Sequence, residues 1–264
     1  MRRVIARYAP ILVPAAFAIL STLGSARGQE PKAPAREAFL AGTSRDCPGC
    51  DLRGVRLKRR DLRGADLTGA DLTDAVLHAA KLMNAKLDHA KLNGANLDKA
   101  DMKRASLAGA DLSDALLYGT DLSGAKLEGA IMARTHMAHS RLTRAVLRGA
   151  DISLSTLNDA EMADTDLSQA DLRRSNLTDA NLSRSDLTSA RADGAGFVRS
   201  RLPSAKMRDI SARRADFYQA NLTGADLTDG DFRGARLERA DLDDAITSGM
   251  KTKGALLVDG TIGQ

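Results

Sequence analysis

The sharpest chemical motif of the chain is a Cys-Pro-Gly-Cys sequence formed by Cys47 and Cys50. Two cysteines at this spacing suit three roles: a redox pair, one half of a metal site, or a loop closed by a disulfide. Asp51 follows the second cysteine, where haem attachment would require histidine. The chain has no other cysteine, so a four-cysteine zinc site would need two chains.

The other candidates for metal binding or acid–base chemistry are four histidines, His78, His89, His136 and His139. None belongs to a nucleophile–base arrangement, and the sequence has no glycine-rich phosphate loop. We therefore expect surface histidines, no catalytic residue, and no metal or cofactor. The many aspartates are expected to form a solvated surface. Aromatic residues make up only 3% of the chain, which argues against nucleic-acid recognition by base stacking.

Residues 1–28 have the layout of an export signal. They begin with three arginines near the N-terminus, and residues 8–26 carry no charge. This pattern is typical of a secretory signal peptide. We expect cleavage after Gly28, with Ala26 as the alternative, and a periplasmic or secreted protein with no stable membrane span after cleavage. An uncleaved membrane anchor is the competing interpretation.

Export affects how the charge and the cysteines are interpreted. The leader holds four arginines and no acidic residue, so its removal lowers the formal net charge from +5 to +1. The basic character of the whole chain therefore gives no support to nucleic-acid binding. An exported chain meets oxidants, which favours a structural disulfide between Cys47 and Cys50 over a redox pair.

The rest of the chain is built on a repeat of five residues. Blocks such as ADLTG, ADLTD and AKLNG follow one another from Cys50 to Asp244, with 39 blocks in phase. The middle residue, termed the centre, is Leu in 28 blocks, and Ala stands two positions before it in 26. A period of five fits neither a helix nor a strand. A fixed short period without insertions is typical of a solenoid.

The blocks resemble the A(D/N)LXX consensus of the pentapeptide-repeat family over residues 50–244. The resemblance implies an all-β fold: a right-handed quadrilateral β-helix of about ten coils, with four blocks or about 20 residues per coil. Two size exchanges 20 residues apart agree with that coil. Ala192 stands beside Phe197, and Ala212 beside Phe217, so each layer keeps its volume.

Both ends of the repeat depart from its pattern. Residues 47–60 lack the usual small residues and are predicted to form an N-terminal cap that contains the two cysteines. Residues 29–46 are rich in Pro, Ala and charge, and are predicted to be a flexible lead-in. Residues 245–264 are predicted to be a C-terminal cap, because a solenoid must cover its terminal edges.

The four expected faces of the rod differ in composition. No face is densely acidic, as mimicry of duplex DNA would require. The face whose centres begin at residue 57 carries five acidic and seven basic outward residues, together with apolar and aromatic ones. This composition is typical of the core of a protein interface. The candidate interaction residues are Leu116, Tyr118, His136, His139, Val198 and Tyr218.

Three functions remain as interpretations. The first is an exported, non-catalytic scaffold for protein–protein interaction, with an unidentified protein partner and no nucleic acid. A homodimer through a terminal coil is compatible with it. The second follows from the resemblance, because some family members bind DNA gyrase by imitating DNA; this requires a chain retained in the cytoplasm. The third is a redox module that uses Cys47 and Cys50.

Overall fold

The five-residue blocks stack at intervals of 20 residues. In a computed structural model, which describes residues 33–264, 38 parallel β-bridges join residue i to residue i + 20. They run from Asp51↔Asp71 to Arg236↔Leu256, and each involves the residue just before a centre. One coil therefore contains four blocks, which confirms the repeat β-helix. The predicted leader, residues 1–28, lies outside the described residues.

A block can use all five of its backbone amides, as residues 71–75 around Leu72 illustrate. The amides of Leu72 and Asp74 donate to the next coil, that of Asp71 donates to the preceding coil, and that of Ala75 donates back across the turn to Leu72. The remaining amide, that of Thr73, donates to the Asp71 carboxylate at 3.2 Å. An Asp or Asn before the centre thus satisfies the one amide that the ladder leaves over. The aspartates expected to be merely solvated have this structural role in 15 of the 39 blocks.

The third residue of every turn is held in the left-handed region. From Gly49 to Gly254, 42 successive blocks have φ between 54° and 72° at this position, and 27 of these residues are not glycine. The conformation costs roughly 1–2 kcal/mol for a residue with a Cβ and is most unfavourable for β-branched residues. None of the 42 positions carries Val, Ile or Thr. The backbone therefore restricts the sequence even at this exposed position.

Inward side chains fill the rod in layers. Phe197 and Phe217 stack with their ring centroids 4.7 Å apart, and both are fully buried with Ala192 and Ala212. The large and small residues therefore alternate as the sequence predicted.

Phe232, a centre on the adjoining face, packs against these rings with its centroid 5.6 Å from that of Phe217, and the small residue before it is Gly230. The block one coil earlier has the opposite arrangement: its small position carries the large Ile210, and its centre is the small Ala212. A large residue at one inward position is thus matched by a small residue at the other.

A helix closes the N-terminal end of the rod. This helix, α1 (Ala33–Ala41), buries Phe39 completely in the core. The guanidinium of Arg60 lies 4.9 Å from the Phe39 ring centroid and donates hydrogen bonds to the carbonyls of Phe39 and Leu40. The flexible lead-in predicted for 29–46 is therefore wrong for residues 33–41. A nine-residue helix is marginal alone, and burial of Phe39 supplies the stability that its sequence does not reveal.

The coil continues past the predicted boundary at residue 244. Parallel bridges extend to Leu256, which then pairs with Ile262 in an antiparallel bridge. The segment predicted as a C-terminal cap thus consists of further coil followed by a hairpin. Val258 and Ile262 remain 41% and 59% exposed. Within residues 33–264, no helix has the length and apolarity needed to cross a bilayer.

Candidate interaction face

The candidate interaction residues lie on one face of the rod. This face, termed the tyrosine face, consists of the outward residues of the blocks centred on Leu57, Leu77 and every twentieth residue to Leu237. Each block offers three outward positions, one before its centre and two after it. Residues 20 apart are neighbours on successive coils, which are spaced at about 4.8 Å.

Four of the six predicted residues form one cluster, termed the Tyr118 cluster. Leu116 and His136 are bridge partners on successive coils. The Tyr118 and His139 rings meet edge to face, with centroids 5.3 Å apart and planes at 77°. Leu116 and Tyr118 are 37% and 47% exposed, and both histidines are exposed. The cluster therefore presents adjacent apolar and aromatic atoms to the solvent.

The two carboxylates nearest this cluster, those of Asp159 and Asp114, each lie close to a histidine or an arginine. The Asp159 carboxylate lies 3.9 Å from His139 Nε2. On the adjoining face, Asp114 accepts hydrogen bonds from Arg134, which lower the pKa of its carboxyl, and His136 adds a smaller effect in the same direction. Aromatic rings with a polar tip in such a setting are typical of protein interface cores.

Val198 and Tyr218 form a separate pair further along the rod, and both are half-buried. The Arg236 guanidinium lies 4.0 Å from the Tyr218 ring centroid, and Arg239 donates a hydrogen bond to the Tyr218 hydroxyl at 3.1 Å. These arginines cover Tyr218 and make its ring less available to a partner than that of Tyr118. Sequence reasoning missed them, although a search for cationic residues about 20 positions after each tyrosine would have found both.

Two polar coils separate the two groups. They are centred on Leu157 and Leu177. On the second of these coils, Asp179 accepts two hydrogen bonds from Arg199, at 2.8 and 2.6 Å, and these lower the pKa of the Asp179 carboxyl. The coils of Met137 and Phe197 are three steps apart, roughly 14 Å. The six predicted residues therefore form two separate groups, and the Tyr118 cluster is the more exposed of the two.

Cys47 and Cys50 are joined by a disulfide in the structure, with a Cα–Cα distance of 5.4 Å. The residues are 0% and 1% exposed. Cys47 takes the place of a centre and Cys50 that of the small residue, and the Cys50 amide donates to the Cys47 carbonyl across the turn at 3.2 Å. The motif is thus the first block of the coil. Its phase with the repeat was visible in the sequence.

The described residues contain no group of three or more His, Cys, Asp or Glu side chains placed to hold a metal ion. His89 lies on the face opposite the Tyr118 cluster, and His78 lies three coils from His139 on the tyrosine face.

Comparisons with known proteins agree with this geometry. The family profile for pentapeptide repeats matches eight copies over residues 50–88, 85–124, 120–159, 165–202 and 213–246. The solved structure of HetL, a pentapeptide repeat protein involved in heterocyst differentiation regulation from the cyanobacterium Nostoc sp. strain PCC 7120, is 30% identical. It superposes with a TM-score of 0.62 and covers 86% of this chain and 98% of its own.

A second solved structure, the pentapeptide repeat protein Rfr23 from the cyanobacterium Cyanothece 51142, is 26% identical, with a TM-score of 0.37. The match covers 48% of this chain and 99% of Rfr23. No curated protein matches the chain. The repeat, the coil of four blocks and the profile match lead to one conclusion: the chain belongs to the pentapeptide-repeat family.

Proposed function

We propose that the chain is an exported, non-catalytic pentapeptide-repeat rod that binds a protein partner through the Tyr118 cluster. The observation that carries the proposal is the exposure of Leu116 and Tyr118 beside two exposed histidines. The backbone bridges hold these residues at fixed spacing, so little conformational entropy is lost on binding. Pre-organised aromatic residues of this kind are the usual anchors of protein interfaces.

Export rests on the sequence of residues 1–28, and the cysteine pair supports it. A buried disulfide is typical of proteins that fold in oxidising compartments. Burial of Cys47 and Cys50 also favours a structural bond over the redox alternative, since reactive cysteines are partly exposed. Titration of the native protein with a thiol reagent should find no reactive thiol; a pair that exchanges readily would favour the redox module.

Site-specific photocrosslinking in cells tests the proposed interface. A photoreactive residue at position 118 should give a discrete protein adduct, whereas one at position 89, on the opposite face, should give none. The substitutions Tyr118→Ser and His139→Ser should each reduce an adduct formed from position 116. Equal adducts from positions 118 and 89 would show that the Tyr118 cluster is not the interface.

A reporter active only outside the cytoplasm tests export. Residues 1–40 fused to the reporter should give activity, and the mature protein should lack the 28 residues of the leader. A silent reporter together with a full-length cytoplasmic protein would contradict export. The gyrase-binding alternative would then be tested by inhibition of DNA supercoiling.

A further inference from the structure

A groove rich in arginine lies on the face next to the tyrosine face. This face consists of the outward residues of the blocks centred on Leu52, Leu72 and every twentieth residue thereafter. Near its C-terminal end the surface forms an open groove of ≈ 860 Å³. Its lining, termed the arginine groove, comprises Arg174, Asp193, Gly194, Arg213, Arg214, Arg233, Gly234 and Lys253.

Glycine alternates with arginine along one side of the groove. Arg174, Gly194, Arg214 and Gly234 occupy the same turn position on four successive coils. The side chain of Arg174 extends over Gly194, and that of Arg214 over Gly234, where a Cβ would approach the arginine Cγ at 3.7 and 3.4 Å. Because Gly194 and Gly234 have no side chain, the surface is open at these two positions, and this opening forms part of the groove.

The lining holds five cationic residues and a single carboxylate, that of Asp193. Arg213 and Arg233 are both engaged with Asp231, at 2.6 and 2.7 Å. Arg174 and Arg214 are exposed and form no ion pair with any residue between 33 and 264. The backbones of these two arginines lie two coils apart, roughly 10 Å, and their guanidinium groups are therefore available to bind an anion from solution.

We propose that the arginine groove binds a linear polymer that carries phosphate groups. An arginine fork fits phosphate oxygens in bidentate geometry. Cationic residues recur at every coil from Arg213 to Lys253, about 5 Å apart, so a chain of regularly spaced anions matches the groove better than a single ion. The proposal concerns a different face from the Tyr118 cluster and does not depend on the function proposed above.

The composition of the groove disfavours two other classes of ligand. None of its eight lining residues is aromatic, so it lacks the stacking platform of single-strand nucleic-acid sites. None is a large apolar residue able to insert into a lipid interface. A phosphate polymer without bases needs neither feature.

Calorimetric titration of the full mature protein with linear polyphosphate tests the proposal. The substitutions Arg174→Ala and Arg214→Ala together should weaken binding at least about tenfold and reduce the slope of log K against log salt by about 2, one for each lost phosphate contact. Alanine already occupies the equivalent turn position at Ala79, so the fold should tolerate both changes.

The chain offers a closely matched control on the opposite face. Arg104 and Arg144 have the same turn position and the same two-coil separation, and Arg104 likewise extends over a glycine, Gly124. Arg104→Ala with Arg144→Ala removes the same charge and should leave affinity and salt slope unchanged.

Each other result would overturn the assignment. Equal weakening by both pairs of substitutions would mean that binding follows net charge and not the groove. Equal affinity for polyglutamate would remove the preference for phosphate, and preference for a single-stranded oligonucleotide or for anionic lipid vesicles would assign the groove to those ligands. No binding of polyphosphate at low salt would refute the site.

Discussion

Replacing Gly230 by alanine should destabilise the rod, although alanine occupies the same position in 26 of the 39 blocks. A Cβ at Gly230 would lie 2.6 Å from Cε2 of Phe232, 3.1 Å from the Leu227 carbonyl oxygen and 3.3 Å from Cγ2 of Ile210. The Phe232 ring has little room to retreat, because it packs against Phe217 with centroids 5.6 Å apart. The methyl group would therefore force the core to shift.

Two effects of opposite sign determine how much Gly230→Ala changes the free energy of unfolding. Overpacking of a closed core costs about 1–3 kcal/mol. Loss of glycine flexibility in the unfolded chain returns about 0.4–1 kcal/mol, since Gly230 does not have a positive φ. We expect a net loss of about 0.5–2 kcal/mol in the free energy of unfolding, seen as a lower urea midpoint at unchanged m value.

Gly196→Ala is the matched control. Gly196 also lacks a positive φ, but a Cβ there would meet only Asn176 Oδ1, at 3.8 Å. This variant should be neutral or slightly more stable than the parent. A Gly230→Ala protein as stable as the Gly196→Ala protein would refute the packing argument.

A double-mutant cycle gives a second test. Phe232→Leu restores the commonest centre and alone leaves a cavity beside Gly230, which lowers stability. In the double variant the alanine methyl fills part of that cavity, so the two costs should not add. A coupling energy of about 1 kcal/mol or more in favour of the double variant is expected. Strict additivity would show that the two residues do not share space.

Three further predictions, which use four variants, rest on the described contacts. Ser140→Ala should raise the free energy of unfolding by about 1 kcal/mol, because the buried Ser140 hydroxyl has no hydrogen-bond partner among the described residues. Ser155→Ala should lower it by about 1–3 kcal/mol, because buried hydrogen bonds are lost. The urea midpoints of the two variants should therefore move in opposite directions. Hydrogen bonds from its own turn lower the pKa of Asp66, so its contribution to stability is complete above about pH 4 and is lost on acidification. Asp66→Asn keeps the accepting oxygen and should reduce the fall in urea midpoint between pH 7 and pH 3; an unchanged fall would contradict this. Replacing Cys47 and Cys50 by alanine should cost about 2 kcal/mol for so short a loop and should abolish the effect of a reducing agent on thermal unfolding.

The sequence predicted those parts of the fold that depend on the five-residue repeat. A repeat of five determines which residues point inward, and the exchange between Ala192 and Phe197 marks the coil of four blocks. The helix α1 was not predictable in this way, because nine residues are too few to show a period and its stability comes from Phe39. Tertiary burial, and not local propensity, decides such a segment.

The candidate sites show a second reason for incomplete prediction. Counting charges over the ten blocks of the face that begins at residue 52 gives nine acidic and nine basic residues, which suggests neutrality. Six of those acids lie before residue 152 and six of the bases after residue 172, so the count conceals the arginine groove. Similarly, the face total could not show that Arg236 turns onto Tyr218. Position along the rod, and not composition, distinguishes these surfaces.

The coil of four blocks also constrains how such a chain can change in length. Insertion of one five-residue block would keep every inward residue buried, yet it would rotate all downstream residues by a quarter turn. The Tyr118 cluster and the arginine groove would then lose their relative orientation while the rod itself remained folded. Insertion of 20 residues would lengthen the rod and preserve every face. A change of one whole coil between the Tyr118 cluster and the arginine groove therefore preserves their alignment along the rod, whereas a change of one block places them on different pairs of faces.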